Sequence, residues 1–203
     1  MNNAKSLIIG AHPDDVEVLM GFAAATNPQN HALIATRGER GHSRLEDVEF
    51  VSAGLRILES QKGLEAIGIP PYRQHYRDFA DGYLMSQIGH LVTAIVEVAA
   101  ANGVEQLVTF GPRGFDGHRD HVAVFQAARR AAKELTIKLL VRLDANQVDK
   151  IDKTDLILTG DRQLKIKAMR HHLSQYDPET DPATWPNFEL YNRQLEREVY
   201  KEV

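Results

Sequence analysis

The chain has 203 residues and a mass of 22.8 kDa, a size at which one domain with one core is expected. Hydrophobic residues make up 43% and charged residues 26%, which is ordinary globular usage and excludes a disordered or fibrous chain. The net charge of -4, without a run of Lys or Arg, gives no electrostatic footprint for nucleic acid or an anionic membrane. We therefore expect neither as a partner.

The absence of cysteine excludes disulfides, thiolate nucleophiles and cysteine-ligated zinc. Any metal in this chain must be held by His, Asp or Glu. The N-terminal apolar stretch, residues 7–10, is too short for a signal-peptide core or a membrane span. These features predict a cytoplasmic protein.

Strand-like and helix-like segments alternate along the chain. Short apolar runs bounded by turn residues predict strands, and apolar residues at helical spacing predict helices. In chain order these are a strand over 7–10, a helix over 16–25, a strand over 31–36, a helix over about 45–67 ended by Pro70 and Pro71, a strand over 72–79, a helix over 84–101, a strand over 106–110, a glycine-rich loop over 111–117, a helix over 121–135, strands over 137–143 and 156–158, a helix over 162–172 and a proline-rich segment over 177–186.

This alternation predicts an α/β fold: one Rossmann-like, three-layer α/β/α domain over residues 1–203 with a mostly parallel sheet. In such sheets the ligand crevice lies beyond the carboxyl ends of the strands. The loops over 11–15 and 111–121 both follow strands, so we expect them to meet at that edge.

The first candidate cluster is Ala11-His12-Pro13-Asp14-Asp15. A hydrolytic zinc site needs nitrogen and oxygen ligands with one position left open, and His12 and Asp15 offer two ligands from one turn. Asp14 would remain to handle protons. The alternative is an ordinary helix N-cap, where Asp and Pro are both common.

The second cluster is His118-Arg119-Asp120-His121, which also opens a helix. His118 and His121 lie three residues apart and so share one face of a helical turn, where one can bind a metal and the other face a substrate. The alternative is a pair of surface histidines. Two clusters of acid and imidazole at one sheet edge favour a site.

Further motifs in the same order strengthen this interpretation. Residues 36–39 read Thr-Arg-Gly-Glu, Arg56 is followed by Glu59, Asp81 by Gly82, and residues 172–175 read His-Leu-Ser-Gln. Together with the two clusters, these motifs resemble the PIG-L/LmbE-like N-acetylglucosaminyl deacetylases over most of the chain.

The resemblance implies a role for each matching residue. His12, Asp15 and His121 would bind the metal, Zn²⁺ with Fe²⁺ or Co²⁺ as alternatives. Asp14 would be the general base, His118 would stabilise the oxyanion or protonate the leaving amine, and Asp120 would orient His118. Arg56 and Asp81 match positions that contact the sugar in relatives.

The chain departs from the family pattern in two places. The family usually has Glu directly after the Asp pair, whereas Val16 intervenes here before Glu17. Arg119 stands where the family has Pro, which adds a charge near the mouth of the site that can alter substrate choice.

Other polar and aromatic residues have two interpretations each. Glu39, Arg40 and His42 belong either to a solvated loop or to the rim of the site. We expect His171 and His172 to cap or pack rather than bind metal. The three C-terminal aromatic residues most simply pack on the sheet, although they could also stack on a sugar; they are Trp185, Phe188 and Tyr191.

The expected function is zinc-dependent hydrolysis of the N-acetyl group of an N-acetylglucosamine-type sugar or conjugate, a small-molecule amino-sugar substrate. Open alternatives are an amidase that cleaves a different amide of a sugar-thiol conjugate, and a metal-binding pseudoenzyme. A nucleotide-binding domain is disfavoured, because the first loop lacks Gly-x-Gly-x-x-Gly and presents carboxylates where phosphates need amides. A homo-oligomer is possible.

Overall fold

The computed structural model of the chain describes residues 4–41, 52–143, 155–176, 179 and 197–203. Its strands are β1 (Ser6–Gly10), β2 (His31–Thr36), β3 (Gln74–Phe79), β4 (Gln106–Phe110), β5 (Lys138–Arg142), β6 (Leu156–Thr159) and β7 (Arg197–Glu202). Its α-helices are α1 (Asp15–Ala25), α2 (Ala53–Ala66), α3 (Ile88–Ala101), the short turn α4 (Gly114–Gly117), α5 (Arg119–Leu135) and α6 (Arg162–Met169). Two single 3₁₀ turns cover Pro71–Arg73 and Leu84–Gln87.

The seven strands form one sheet in the order β3-β2-β1-β4-β5-β7-β6. The first five strands in this order run parallel, and β7 is antiparallel to both β5 and β6. β1, β2 and β4 are buried along their whole length, as expected for parallel strands covered on both faces. The predicted α/β class with a mostly parallel sheet is confirmed.

The helices pack in two groups. Helices α1, α2 and α6 contact one another, while α3 and α5 pack together beside β4. This grouping is expected for a sheet covered on both faces. The stretch Leu84–Ala101 is long and apolar enough to cross a membrane by length and composition, but within the fold Leu91, Ile95 and Val98 of α3 are buried in the core.

Strand β7 was not among the predicted strands, because a buried charge interrupts its apolar pattern. Glu198, the second residue of β7, is fully buried, and its Oε1 lies 2.5 Å from Nζ of the equally buried Lys165. Helix α1 is kinked at Met20 (φ -129°), and beyond the kink the amides of Phe22 and Ala23 donate to Glu198, each at 2.9 Å. The carboxylate therefore acts as an internal cap for the second half of α1.

Several predicted boundaries move by a few residues. The helix predicted over about 45–67 is described from Ala53, and the first part of the prediction lies outside the described residues. The same holds for the three C-terminal aromatic residues and for the segment over 177–186 apart from residue 179. The last helix ends at Met169 rather than at residue 172, because the chain then turns to bury His172. The extent of the domain over residues 1–203 stays a prediction.

Candidate active site

Backbone amides fix the carboxylate of Asp15 in the loop between β1 and α1. Its Oδ2 accepts hydrogen bonds from the amides of Ala11 (2.8 Å) and His12 (2.7 Å). Asp14, at the N-cap position, has φ 113°, a left-handed value that costs energy in a residue with a side chain. The Asp14 side chain makes no capping hydrogen bond, so the alternative of an ordinary helix cap does not explain it.

The second cluster fixes the orientation of two imidazoles. His121 Nδ1 lies 2.9 Å from the carbonyl oxygen of Gly114, which can only accept a hydrogen bond, so Nδ1 carries a proton and the neutral ring would have its lone pair on Nε2. The His121 ring stacks on Phe110 with 4.1 Å between centroids. His118 caps α5 and its Nδ1 accepts from the Asp120 amide at 3.2 Å. The hydrogen bond described between Asp120 and His118 therefore comes from the backbone amide of Asp120.

The two clusters meet because β1 and β4 are neighbouring parallel strands whose carboxyl ends share one edge. Asp15 Oδ1 lies 3.2 Å from His121 Nε2, and Asp15 Oδ2 lies 3.5 Å from His12 Nδ1. The ring centroid of His118 is 4.8 Å from those of both His12 and His121. The expected convergence of the two loops is confirmed.

Two further carboxylates face His12. Its Nε2 lies 3.2 Å from Asp81 Oδ1 and 3.4 Å from Asp120 Oδ2. The Asp120 carboxylate also accepts from the amides of Gly82 (2.6 Å) and Leu84 (3.1 Å). Asp120 therefore holds the loop after β3 against the site, a role that its position in the motif did not predict.

The charged loop after β2 lies at the rim of the site. Glu39 Oε1 accepts from the amide of Asp81, and Asp81 Oδ2 accepts from the amide of Arg40, both at 2.9 Å. The Arg40 guanidinium lies 5.4 Å from the centroid of the Tyr83 ring. Of the two interpretations of this loop, the rim of the site is the one observed for Glu39 and Arg40. His42 lies outside the described residues.

Arg56 is buried beside the proposed base. Its Nη2 donates to the Pro13 carbonyl at 2.6 Å and lies 3.3 Å from Asp14 Oδ2. A Cβ on Gly38 would lie 3.1 Å from the guanidinium, and a Cβ on Gly41 would overlap Nη1. The glycines of this loop therefore make room for Arg56 to reach Asp14.

The electrostatics around His12 favour a cation. Burial lowers the pKa of His12, but the adjacent carboxylates of Asp120, Asp15 and Asp81 outweigh burial and hold this pKa well above the usual range. Burial acts to raise the pKa of Asp15, yet the charges of His121 and His12 keep it well below the usual range. Such a concentration of carboxylates around imidazole nitrogens suits a divalent cation.

The pKa of Asp14 behaves differently. Burial raises the pKa of the Asp14 carboxyl, and the nearby Arg56 guanidinium only partly opposes this rise. A carboxylate whose pKa is shifted towards neutrality is better matched to accept a proton than an unperturbed one.

The donor atoms fit a metal ion. His12 Nε2 is buried and makes no hydrogen bond of acceptable geometry among the described residues, although Asp81 and Asp120 oxygens lie nearby. His12, His118 and His121 each offer a ring nitrogen, and these atoms lie within 4.8 Å of one another. A buried ring nitrogen that faces carboxylate oxygens but has no hydrogen-bond partner can be satisfied by a bound cation.

These groups line a cavity of about 360 Å³. Seven of the eight residues singled out in the sequence lie in its wall: His12, Asp14, Asp15, Arg56, Asp81, His118 and His121. The wall also contains Arg40, which the sequence placed either in a solvated loop or at the rim, and three residues to which it assigned no role of their own: Gly41, Gly82 and Gln175. Two grooves elsewhere, of about 550 and 610 Å³, are larger but mainly apolar, and a third, of about 470 Å³ beside Glu105 and Lys138, has no imidazole in its wall. The cavity with the imidazoles and carboxylates is the candidate active site.

Comparison with known protein families and their members identifies the family of this chain. The model of the GlcNAc-PI de-N-acetylase family matches residues 7–132, more than half of the chain. The chain belongs to this family. Within the family, the chain is 28% identical over 136 residues to an uncharacterized deacetylase, YaiS, of Escherichia coli K12, covering 64% of this chain and 68% of that protein. It is also 28% identical over 155 residues to the 1D-myo-inositol 2-acetamido-2-deoxy-alpha-D-glucopyranoside deacetylase of Geodermatophilus obscurus, covering 62% of this chain and 51% of that relative, or about half its length.

Solved structures share the fold at low identity. The A40926 pseudoaglycone deacetylase Dbv21 has a TM-score of 0.75 and 18% identity, covering 100% of this chain and 98% of that one. The zinc-inhibited form of the teicoplanin deacetylase Orf2 has a TM-score of 0.68 and 14% identity, with 98% of both chains covered. The 4-carboxy-2-hydroxymuconate hydratase GalB of Pseudomonas putida has a TM-score of 0.69 and 17% identity, covering 98% and 96%. Proteins with this fold therefore catalyse more than one reaction, so the reaction of this chain has to be argued from the residues of its site.

Proposed function

We propose that this family member is a metal-dependent N-deacetylase acting on an N-acetylglucosamine-type sugar or conjugate. The observation that carries the proposal is the convergence of His12, Asp15 and His121 with Asp14 beside them in one cavity. The products would be acetate and a free amine. Membership of the de-N-acetylase family and the deacetylases among the relatives support this reaction.

His12, Asp15 and His121 would hold the metal, with Zn²⁺ as the preferred ion and Fe²⁺ or Co²⁺ as alternatives. With Nδ1 directed at the Gly114 carbonyl oxygen, His121 would coordinate the metal as a neutral ring through Nε2. A bound zinc ion would supply Lewis-acid polarisation of the acetyl carbonyl and would acidify a water molecule. The arrangement leaves His118, the more exposed third imidazole, for the substrate.

The remaining steps of the reaction would be carried out by two side chains, those of Asp14 and His118. Asp14 would take a proton from the attacking water as its oxygen bonds to the acetyl carbon. His118, whose Nδ1 accepts from the Asp120 amide, would in its neutral form donate a hydrogen bond from Nε2 to the developing oxyanion, and in its protonated form would give a proton to the amine nitrogen. As the carbon–nitrogen bond breaks, the amine nitrogen receives a proton from protonated His118 or the one that Asp14 took from the water.

Arg56 and Asp81 would contact the sugar from the cavity wall. Arg56 is 4% exposed and also reaches Asp14, so its substitution would affect both binding and the base. A small amino-sugar substrate, a cytoplasmic location and a possible homo-oligomer remain our predictions for this protein.

The experiment that tests the proposal measures acetate release from free N-acetylglucosamine and a panel of N-acetylglucosaminides, with metal-loaded and chelator-stripped protein. We expect release that stops on stripping and returns with Zn²⁺. Amine formation without acetate would identify an amidase that cleaves another amide. One bound metal per chain with no turnover of any amide would identify a pseudoenzyme, and either result would refute the proposed reaction.

A further inference from the structure

The buried face of α2 is polar, which is unusual for a helix that packs against two others. Its buried residues include Arg56, Glu59, Ser60 and Gly63, which occupy positions i, i+3, i+4 and i+7 and therefore share one face. Burial of such groups is costly unless each finds a partner. The partners lie on α1 and on the turn over residues 172–176.

The first pair of hydrogen bonds joins α2 to that turn; we call it the Glu59–Ser174 tie. The amide of Ser174 donates to Glu59 Oε1 at 2.7 Å, and the Ser174 hydroxyl donates to Glu59 Oε2 at 2.5 Å. Ser174 is fully buried and Glu59 is 3% exposed. One carboxylate thus fixes both the backbone and the side chain of Ser174, with charge-assisted hydrogen bonds.

A second set of contacts, made by Glu17 with Ser60 and His172, joins α1, α2 and the same turn; we call it the Glu17–His172 tie. Glu17 Oε1 accepts from the Ser60 hydroxyl at 3.2 Å and lies 3.1 Å from His172 Nε2. Glu17 and His172 are both fully buried. Gly63 makes space for this pair, since a Cβ there would lie 2.8 Å from Glu17 Oε1 and 2.9 Å from His172 Nε2.

The Glu17–His172 tie fixes the turn at His172, and the Glu59–Ser174 tie fixes it at Ser174. The residue after Ser174, Gln175, faces the active-site cavity. The amides of Gln175 and Tyr176 both donate to the His172 carbonyl, at 2.9 and 2.8 Å. The Gln175 side chain lines the active-site cavity, and its Nε2 lies 3.1 Å from the Ser174 carbonyl oxygen. The position of the Gln175 amide therefore depends on Ser174.

We infer that Gln175 is a substrate-binding residue, which the Glu59–Ser174 tie positions in the cavity wall. The inference rests on the proposed function and names a contact that the family motif alone leaves without a role. Among the described lining residues, the other polar side chains are carboxylates, guanidinium groups or imidazoles. An amide is uncharged and both donates and accepts hydrogen bonds, so it suits the hydroxyl and acetamido groups of a neutral sugar ring.

The first test compares the kinetics of acetate release by Gln175→Ala with those of Gln163→Ala, a control on the exposed side of α6. Loss of one substrate hydrogen bond predicts a KM higher by about five- to tenfold for Gln175→Ala, with kcat within about twofold of wild type. We expect Gln163→Ala to match wild type in both. Equal KM values for all three proteins would overturn the inference.

The positioning claim is tested by a double-mutant cycle with Ser174→Ala. In the wild-type background, Ser174→Ala should raise KM, because Gln175 loses its fixed position. In the Gln175→Ala background, Ser174→Ala should have no further effect on KM. A merely structural role of Ser174 would instead give additive effects, and additivity would overturn the positioning by Ser174.

A binding measurement separates this inference from the proposed reaction. Titration of N-acetylglucosamine, followed by ligand-observed NMR spectra recorded before acetate accumulates, gives a Kd for wild type and Gln175→Ala that is independent of turnover. Wild type that binds the sugar but releases no acetate refutes the deacetylase proposal alone, provided that Gln175→Ala binds about five- to tenfold more weakly. Equal affinities, or no binding by wild type, would overturn the role of Gln175.

Discussion

Replacing Gly63 by Ala tests whether the buried pair of Glu17 and His172 organises the contact between α1 and α2. In an exposed helix the change would stabilise the protein by about 1 kcal/mol, because Ala has the better helix propensity. At Gly63 the added Cβ would lie 2.8 Å from Glu17 Oε1, 2.9 Å from His172 Nε2 and 3.3 Å from the Ala168 carbonyl oxygen. All three neighbours are buried, so none can move into solvent.

The magnitude follows from the contacts that must change. Glu17 Oε1 has two partners, Ser60 and His172, and the new methyl group displaces the oxygen from at least one of them. A hydrogen bond to a charged group contributes about 1.5 to 3 kcal/mol, and a displaced buried carboxylate costs more. After subtraction of the gain in helix propensity, we expect Gly63→Ala to lower the free energy of unfolding by at least about 0.5 to 2 kcal/mol.

The assay is urea unfolding followed by circular dichroism, with Gly54→Ala as the matched control. Gly54 lies in the same helix and is exposed, and a Cβ added there would have no neighbouring atom within 4 Å. We expect Gly54→Ala to be neutral or slightly stabilising. If Gly63→Ala were as stable as Gly54→Ala, the pair of Glu17 and His172 would not be rigidly packed against α2, and the reasoning would be wrong.

The remaining predictions concern the site and the buried charge pair. Asp14→Asn should lower kcat by about a hundred- to ten-thousandfold while bound metal is retained, because Asn tolerates the left-handed backbone but accepts no proton; near-normal turnover would exclude Asp14 as the base. His121→Ala should lose bound zinc and His118→Ala should keep it, as measured by elemental analysis, and loss from both would make His118 a ligand. Chelation should lower the urea midpoint of wild type, since a ligand at a thousand times its Kd stabilises the fold by about 4 kcal/mol, and should leave that of His121→Ala unchanged; an equal drop in both would place the metal elsewhere. Burial lowers the pKa of Lys165 to about 8 from 10.5 despite the opposing Glu198 charge, so above about pH 8 the unfolded chain binds more protons than the folded one and stability due to this group rises with pH. The free energy of unfolding of wild type relative to Lys165→Met should therefore increase by about 2 to 3 kcal/mol between about pH 7 and about pH 10, and a constant difference would contradict the lowered pKa.

The sequence predicted the fold class and the location of the site for local reasons. Apolar strands and periodic helices alternate, and the two clusters around His12 and His121 each follow a strand. Parallel strands place such loops at one edge, whatever the rest of the packing. The convergence of His12 with His121 could therefore be predicted before any contact was known.

The tertiary structure alone decided which polar residues become partners. Glu17 and His172 lie 155 residues apart, so no local pattern shows that they pair, or that Gly63 must lack a side chain between them. Strand β7 was missed for the same reason, since Glu198 interrupts its apolar pattern and finds its cation, Lys165, only in the folded chain.

What the sequence by itself determined is therefore the set of chemical groups and the sheet edge at which they meet, because strand direction and helix periodicity are local properties. What the tertiary structure decided is the support of those groups, from the glycine loop around Arg56 to the turn that presents Gln175. The physical reason is that a buried charge or amide is stable only beside a partner of the right geometry, and the fold brings such partners together from distant parts of the chain.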